Sequence, residues 1–228
     1  MSGGRLSRDV AATLAAADIP ASKLGPARRA RLENGERELY FWILRRFAAG
    51  GRPSSAQVRE EAEQLGTNAE RALESLARED LVHLGGDGEI AVAYPFSGRP
   101  TAHRVRLGSG NGEVAAMCAI DALGMAPMLD ESIEIASRDP VTDEGIRVRL
   151  AADGDGAWQP ESTVVVSGAL DRGDDSCCGC CPVLNFFAST ENAEQWLAQH
   201  AEVRGHVVSM PAAIAAGRAV FGGVFDTE

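Results

Sequence analysis

The sequence predicts an α+β fold in two parts, and three observations carry that reading. Apolar residues recur at helical spacing in three successive runs between Glu36 and Leu76. A Gly-rich turn then joins two short apolar segments at residues 81–94, the signature of a hairpin. Beyond residue 100, alternating and β-branched runs are interspersed with helical ones without a regular strand–helix–strand repeat, which predicts a mixed or antiparallel sheet core with helices. Three helices followed by a hairpin is the order of a winged helix-turn-helix. Residues 1–94 therefore read as a helical, winged-helix-like N-terminal domain and 95–228 as an α+β core.

In chain order, a short helix is expected over Val10–Ala17, followed by a loop that Pro20 and Pro26 interrupt. Leu39, Tyr40, Ile43, Leu44 and Phe47 define the next helix, which Gly50, Gly51 and Pro53 end. Ser54 or Ser55 caps a helix that runs through Leu65, and Gly66 stops it. Thr67 is expected to cap a third helix, with Ala69, Ala72, Leu73 and Leu76 along one side. Strands follow at Leu81–Leu84 and Ile90–Tyr94, then a turn-rich junction at Pro95–Pro100. Thr101–Leu107 alternates with His103, Val105 and Leu107 on its inner face, where His103 reads as a hydrogen-bonded core histidine. A helix is expected around Cys118, within the run 111–129. Strands are predicted at Ile146–Leu150, Thr163–Leu170 and Val183–Phe187. Ser189 or Thr190 caps a helix bearing Ala193, Trp196 and Leu197, and Val207 and Val208 precede a last helix over Pro211–Val220.

Charge excludes two function classes. A net charge of −11 leaves no general basic face to displace counterions from nucleic acid or anionic lipid. The third helix carries Glu70, Glu74, Glu79 and Asp80 against Arg71 and Arg78, the wrong sign for a helix facing phosphates. The apolar stretch Val10–Ala17 is too short to span a membrane and lacks a leader's cleavage site, so a cytoplasmic protein is expected.

The chemistry is concentrated in cysteine. On a helix Cys118 and Asp121 share a face, with Cβ atoms about 5–6 Å apart. Their neighbours Met117, Ala119, Ile120, Ala122 and Leu123 are apolar, so the carboxylate is poorly solvated, its pKa rises, and it can exchange a proton with the thiol beside it. Cys177, Cys178, Cys180 and Cys181 lie within five residues, a spacing foreign to a disulfide scaffold. Zinc in that cluster alone is disfavoured, because four near-adjacent positions cannot surround a tetrahedral ion. A Cys-x-x-Cys dithiol is the second reading, though here the motif runs through Pro182 towards a strand rather than opening a helix. In the third, Cys118 and one cluster thiol grip a soft metal centre beside Asp121.

The run Tyr94-Pro95-Phe96-Ser97-Gly98-Arg99-Pro100-Thr101 with His103-Arg104-Val105, then Met117-Cys118-Ala119-Ile120-Asp121-Ala122-Leu123, then Cys181 ahead of Phe186-Phe187-Ala188-Ser189 and Ala193-Glu194-Gln195-Trp196, resembles the organomercurial (alkylmercury) lyase family over about residues 90–200. The resemblance implies protonolysis of the carbon–mercury bond, R–Hg⁺ giving RH and Hg(II). Carried over position by position, it makes Cys118 and Cys181 the mercury-binding thiolates and Asp121 the proton shuttle. It implies no organic cofactor or resident metal, mercury being substrate and product. Low-molecular-weight thiols would release the product, with hand-off to a mercuric reductase, and the N-terminal unit would not read DNA. The sequence departs from the family pattern at Pro182, which follows Cys181 directly, and in the upstream thiols. These leave Cys180 as the alternative partner of Cys118, and Cys177, Cys178 and Cys180 as a relay for Hg(II) or as plain loop residues. A thiol-based heavy-metal-binding or metal-sensing regulator without lyase activity is the rival function. A structural zinc protein is a further one.

Overall fold

The computed structural model describes residues 7–24, 27–28, 30–108, 110, 112–170 and 179–226. Helices and strands follow in the order α1 (Arg8–Ala16), a 3₁₀ turn (Ala21–Lys23), α2 (Asn34–Ala48), α3 (Ser55–Gln64), α4 (Ala69–Arg78), β1 (Val82–Leu84) and β2 (Ile90–Ala93). After these come β3 (Phe96–Ser97), β4 (His103–Leu107), β5 (Glu113–Ala116), α5 (Ala119–Leu129), β6 (Ile133–Arg138), β7 (Gly145–Leu150) and β8 (Gly156–Gln159). β9 (Val164–Leu170), β10 (Phe186–Phe187), α6 (Thr190–Gln199), β11 (Val203–Ser209) and α7 (Met210–Phe221) complete the chain.

Among the described residues the strands form an eight-stranded sheet in the order β1-β2-β3-β5-β4-β6-β7-β8 and a three-stranded one in the order β10-β9-β11, antiparallel throughout. The fold is thus the α+β class with an antiparallel sheet. The β1–β2 hairpin is continuous with the strands of the core, because β3 pairs with β2 on one side and with β5 on the other. Alternation explains the faces. His103, Val105 and Leu107 of β4 and Ile146, Val148 and Leu150 of β7 point inward, while the arginines between them are exposed.

Several boundaries differ from those predicted. The apolar run 111–129 divides: Glu113–Ala116 pairs as β5 with β3 and β4, and the helix expected around Cys118 begins at Ala119. Sheet pairing on both sides outweighs the helix preference of two alanines there. The turn that carries Cys181 runs on through Val183, and the strand is shorter than predicted, spanning Phe186–Phe187. Asn68, not Thr67, caps α4, its side chain accepting from Arg71 N at 2.9 Å. Ser54 and Ser189 cap α3 and α6 as expected. β3, β5, β6 and β8 are additions to the predicted elements, and β11 is longer than Val207–Val208.

Two packing features place the site. Residues Ala119–Ala126 of α5 are all buried, which requires cover all round: the large sheet on one side and α7 on the other. Gly124 and Gly217 make the second contact possible, since a Cβ built on Gly217 would stand 2.9 Å from Gly124 N. α1 lies on β9, where Ser167 Oγ donates to the Thr13 carbonyl at 2.7 Å, and this carries the segment after α1 across the end of α5.

Candidate active site

Cys118 ends the stretch from β5 and serves as N-cap of α5, its Sγ accepting from Asp121 N at 3.4 Å. A sulfur therefore sits where serine, threonine, aspartate or asparagine is the usual choice, at the positive end of a helix dipole. Asp121 follows in the first turn. The two side chains meet as the spacing predicts, although Cys118 caps the helix rather than lying within it. Cys181 arrives from the far side of the sequence. Ala119 N donates to the Leu184 carbonyl at 2.8 Å, pinning the turn that carries Cys181 against the start of α5. Val183 and Leu184 N–H groups both return to the Cys180 carbonyl, which fixes that turn.

Ligand atoms of Cys118, Asp121 and Cys181 all lie within 4.8 Å of one another, and all three residues are buried. Cys181 Sγ lies 3.7 Å from Asp121 Oδ2 and 3.7 Å from the Tyr94 hydroxyl. Cys180 lines the same cavity, but the three-residue cluster contains Cys181. Cys177 and Cys178 lie outside the described residues. The cavity is narrow, about 20 Å³, room for about one water-sized group. Arg28 and the apolar side chains Ile19, Ile120, Leu184, Val220 and Phe221 complete its walls.

This setting holds protons on the sulfurs. Burial pushes the Cys118 thiol up to about 12, partly offset by its hydrogen bond with Cys181. That same bond, with burial, raises Cys181 well above the ordinary thiol range, so both sulfurs are held protonated. Burial lifts Asp121 to about 7, against the hydrogen bond from Cys118 and the charge of Arg28, which both favour the carboxylate. The Tyr94 phenol is raised far above its ordinary value, chiefly by burial, and stays protonated. A base poised near neutrality thus stands beside two thiols that cannot ionise unaided.

Three residues at this site carry no sequence signal. Arg28 and Ile19 come from the segment after α1, and Tyr40 from α2 donates its hydroxyl to the Tyr94 carbonyl at 2.9 Å. Tyr94 lines the cavity; Arg99 is exposed and does not. His103 is a core residue as expected, with Nδ1 3.0 Å from Ser137 Oγ and burial lowering its pKa to about 4. Phe186 and Phe187 are fully buried and lie outside the cavity wall.

The family model for alkylmercury lyase matches residues 96–222, more than half of the chain and all three clustered residues. The chain belongs to the alkylmercury lyase family. Its relatives include the alkylmercury lyase of Staphylococcus epidermidis, 27% identical over 173 residues that cover 75% of this chain and 78% of that one. The alkylmercury lyase of Bacillus cereus is 27% identical over 180 residues, 78% of this chain and 79% of its own. In fold the chain is similar to the mercury-bound form of MerB2, with a TM-score of 0.69 at 23% identity over 87% of this chain and 96% of that one. As a member of this family of lyases, the protein is an enzyme.

Proposed function

We propose that the protein cleaves the carbon–mercury bond of organomercurials, R–Hg–X, with Cys118 and Cys181 as mercury-binding thiolates and Asp121 as proton carrier. The observation that carries this reading is the buried cluster of two thiols and one carboxylate within 4.8 Å, in a chain of the alkylmercury lyase family. As carboxylate, Asp121 takes the Cys118 proton; the thiolate attacks mercury and X⁻ leaves. Cys181 adds as second sulfur ligand and yields its own proton to solvent. Electron density then shifts onto carbon, the Asp121 carboxylic acid delivers the stored proton, and RH departs. Two thiols and R–Hg–X thus give RH, H⁺, X⁻ and mercury bound by two sulfurs. Soft thiolates suit soft mercury, and their fixed spacing makes the second attack effectively intramolecular.

Exogenous thiols then take Hg(II), with hand-off to a mercuric reductase, and Cys177, Cys178 and Cys180 act as outward relay. Replacing those three together is expected to slow product release and spare hydrocarbon formation; unchanged release would remove the relay. We further infer that residues 1–94 form a winged-helix-like domain covering the 95–228 core in a cytoplasmic enzyme. Among the described residues no helix is long and apolar enough to cross a membrane. The metal-sensing regulator is disfavoured by the acidic α4, which carries Glu70 and Glu74.

Methane and benzene release from methylmercury and phenylmercury, in excess free thiol, tests the function. Cys118→Ser, Asp121→Ala and Cys181→Ser are each expected to lower release on the order of 10²–10⁴-fold. Mercury binding without hydrocarbon release by the unsubstituted chain would overturn the assignment.

A further inference from the structure

Arg28 lines the cavity, and this chemistry does not use it. It is 6% exposed, and it is the only cation among the described residues lining the cavity that holds Cys118, Asp121 and Cys181. Its Nη1 donates to the Asp80 carbonyl at 3.2 Å, which holds the guanidinium in place. Asp80 is in turn fixed by Lys23 Nζ at 2.8 Å and His83 Nε2 at 2.7 Å on its two carboxylate oxygens. Among the described residues no acceptor reaches Arg28 Nε, although it is a buried guanidinium donor. Such a donor is rarely left unmatched, because an unmade hydrogen bond inside a protein costs the full desolvation of the group.

The reaction supplies an acceptor of the right charge. Mercury in R–Hg–X is two-coordinate and linear, and the first thiolate attack expels X⁻ into a space walled by apolar side chains. A developing anion there is stabilised only by donors already in position. We propose that Arg28 is the receptor for the anionic counter-ligand of the substrate, its Nε donating to X as the Hg–X bond breaks. X is then a thiolate or halide, and the species the site takes up is the neutral adduct R–Hg–X rather than the bare cation. This inference rests on the carbon–mercury lyase reading. The step balances as Cys118–S⁻ plus R–Hg–X giving Cys118–S–Hg–R plus X⁻, with no redox change. The positive influence of Arg28 on both Asp121 and Tyr40 places its charge at the same centre.

The test separates capture from cleavage. One equivalent of phenylmercury is offered either as its 2-mercaptoethanol thiolate adduct or as its cationic imidazole complex, held in excess imidazole. Mercury–thiolate absorbance in stopped flow reports capture, and benzene reports cleavage. Loss of one charge-assisted hydrogen bond to the departing anion is expected to slow capture from the thiolate adduct by about 10- to 100-fold in Arg28→Gln. Capture from the imidazole complex, whose leaving group is a neutral imidazole, should change far less, and Arg28→Lys should recover much of the loss. The ratio of the two capture rates within one variant is independent of the folded fraction. An unchanged ratio overturns the proposal, as does a defect confined to benzene release, which would make Arg28 a partner of Asp121 alone. Arg28-dependent capture with no benzene from the unsubstituted protein would sink the lyase reading and leave the anion receptor standing.

Discussion

Two buried aspartates in this fold have opposite fates. Asp139, 2% exposed, follows β6 and accepts four hydrogen bonds: from Ala188 N at 2.7 Å, Asn192 Nδ2 at 2.9 Å, Val141 N at 2.7 Å and Thr142 N at 3.1 Å. Burial works to raise its pKa, but those donors outweigh it and the carboxyl is held below its ordinary value. Asp121 is 5% exposed, and its carboxylate stands beside two thiols rather than amides. There burial wins, and the pKa climbs from 3.8 to about 7. The difference lies in what surrounds each carboxylate rather than in depth. A carboxylate saturated with N–H donors ties the β6–β7 turn to the start of α6; one left among apolar walls and sulfurs keeps a proton to exchange.

Exchanging each aspartate for asparagine should separate the two roles. Asp121→Asn is expected to reduce hydrocarbon release on the order of 10²–10⁴-fold, since an amide cannot carry the proton. Asp139→Asn should leave turnover at low temperature near normal and cost about 2–4 kcal/mol of stability, because an amide NH₂ then faces donors that need acceptors. Urea denaturation beside benzene release in both variants checks the pair. Equal losses of activity in the two would erase the distinction.

The same contrast gives opposite pH signs. The folded pKa of Asp121 lies above its unfolded value, so its contribution to stability is fully present below about pH 4 and is lost as pH rises through about 7. That of Asp139 is depressed, so its contribution is present above about pH 4 and is lost as pH falls through the folded value. Asp121→Asn is therefore expected to stabilise the protein by about 1–3 kcal/mol at pH 8 and hardly at all at pH 4. Asp139→Asn should cost most at neutral pH and least in acid. On the proposed mechanism the Asp121 carboxylate takes the thiol proton, so capture of phenylmercury should rise through about pH 7. Parallel stability profiles for the two variants would contradict the account.

Local pattern and tertiary path were unequally legible in the sequence. Cys118 and Asp121 could be paired from a three-residue spacing, and His103 from strand alternation, because both relations are local. β6 was equally open to that reading, with Ile133 and Ile135 inward between half-buried Glu134 and Ala136. β3 has two residues and β8 is a short strand beginning with glycine, so neither shows a period. β5 carried alanines whose helical preference is overruled by two sheet partners. Arg28, Ile19 and Tyr40 reach the site because α1 lies on β9 and α2 sits under Tyr94, contacts no local pattern announces. That a cluster thiol could meet Cys118 was open to chemical reading, but the choice of Cys181 was readable only through family resemblance. Its approach depends on a backbone bond between Ala119 and Leu184, far apart in the chain.

The smallest effect expected concerns how α5 is held rather than what it carries. At Gly124 an added Cβ would press into the Phe221 ring, and Gly217 lies directly behind it. Gly124→Ala must push α7 away or turn Phe221, at about 1–3 kcal/mol for overpacking. Phe221 also lines the cavity, and Asp121 lies one turn before Gly124 on α5. Hydrocarbon release should therefore fall only a few-fold, with the loss greater for phenylmercury than for methylmercury, because a displaced ring narrows the space for the larger organic group. Melting temperature and the ratio of the two release rates check this together. A stability loss with an unchanged ratio would mean that the α5–α7 contact serves the fold alone and that Phe221 does not shape the pocket.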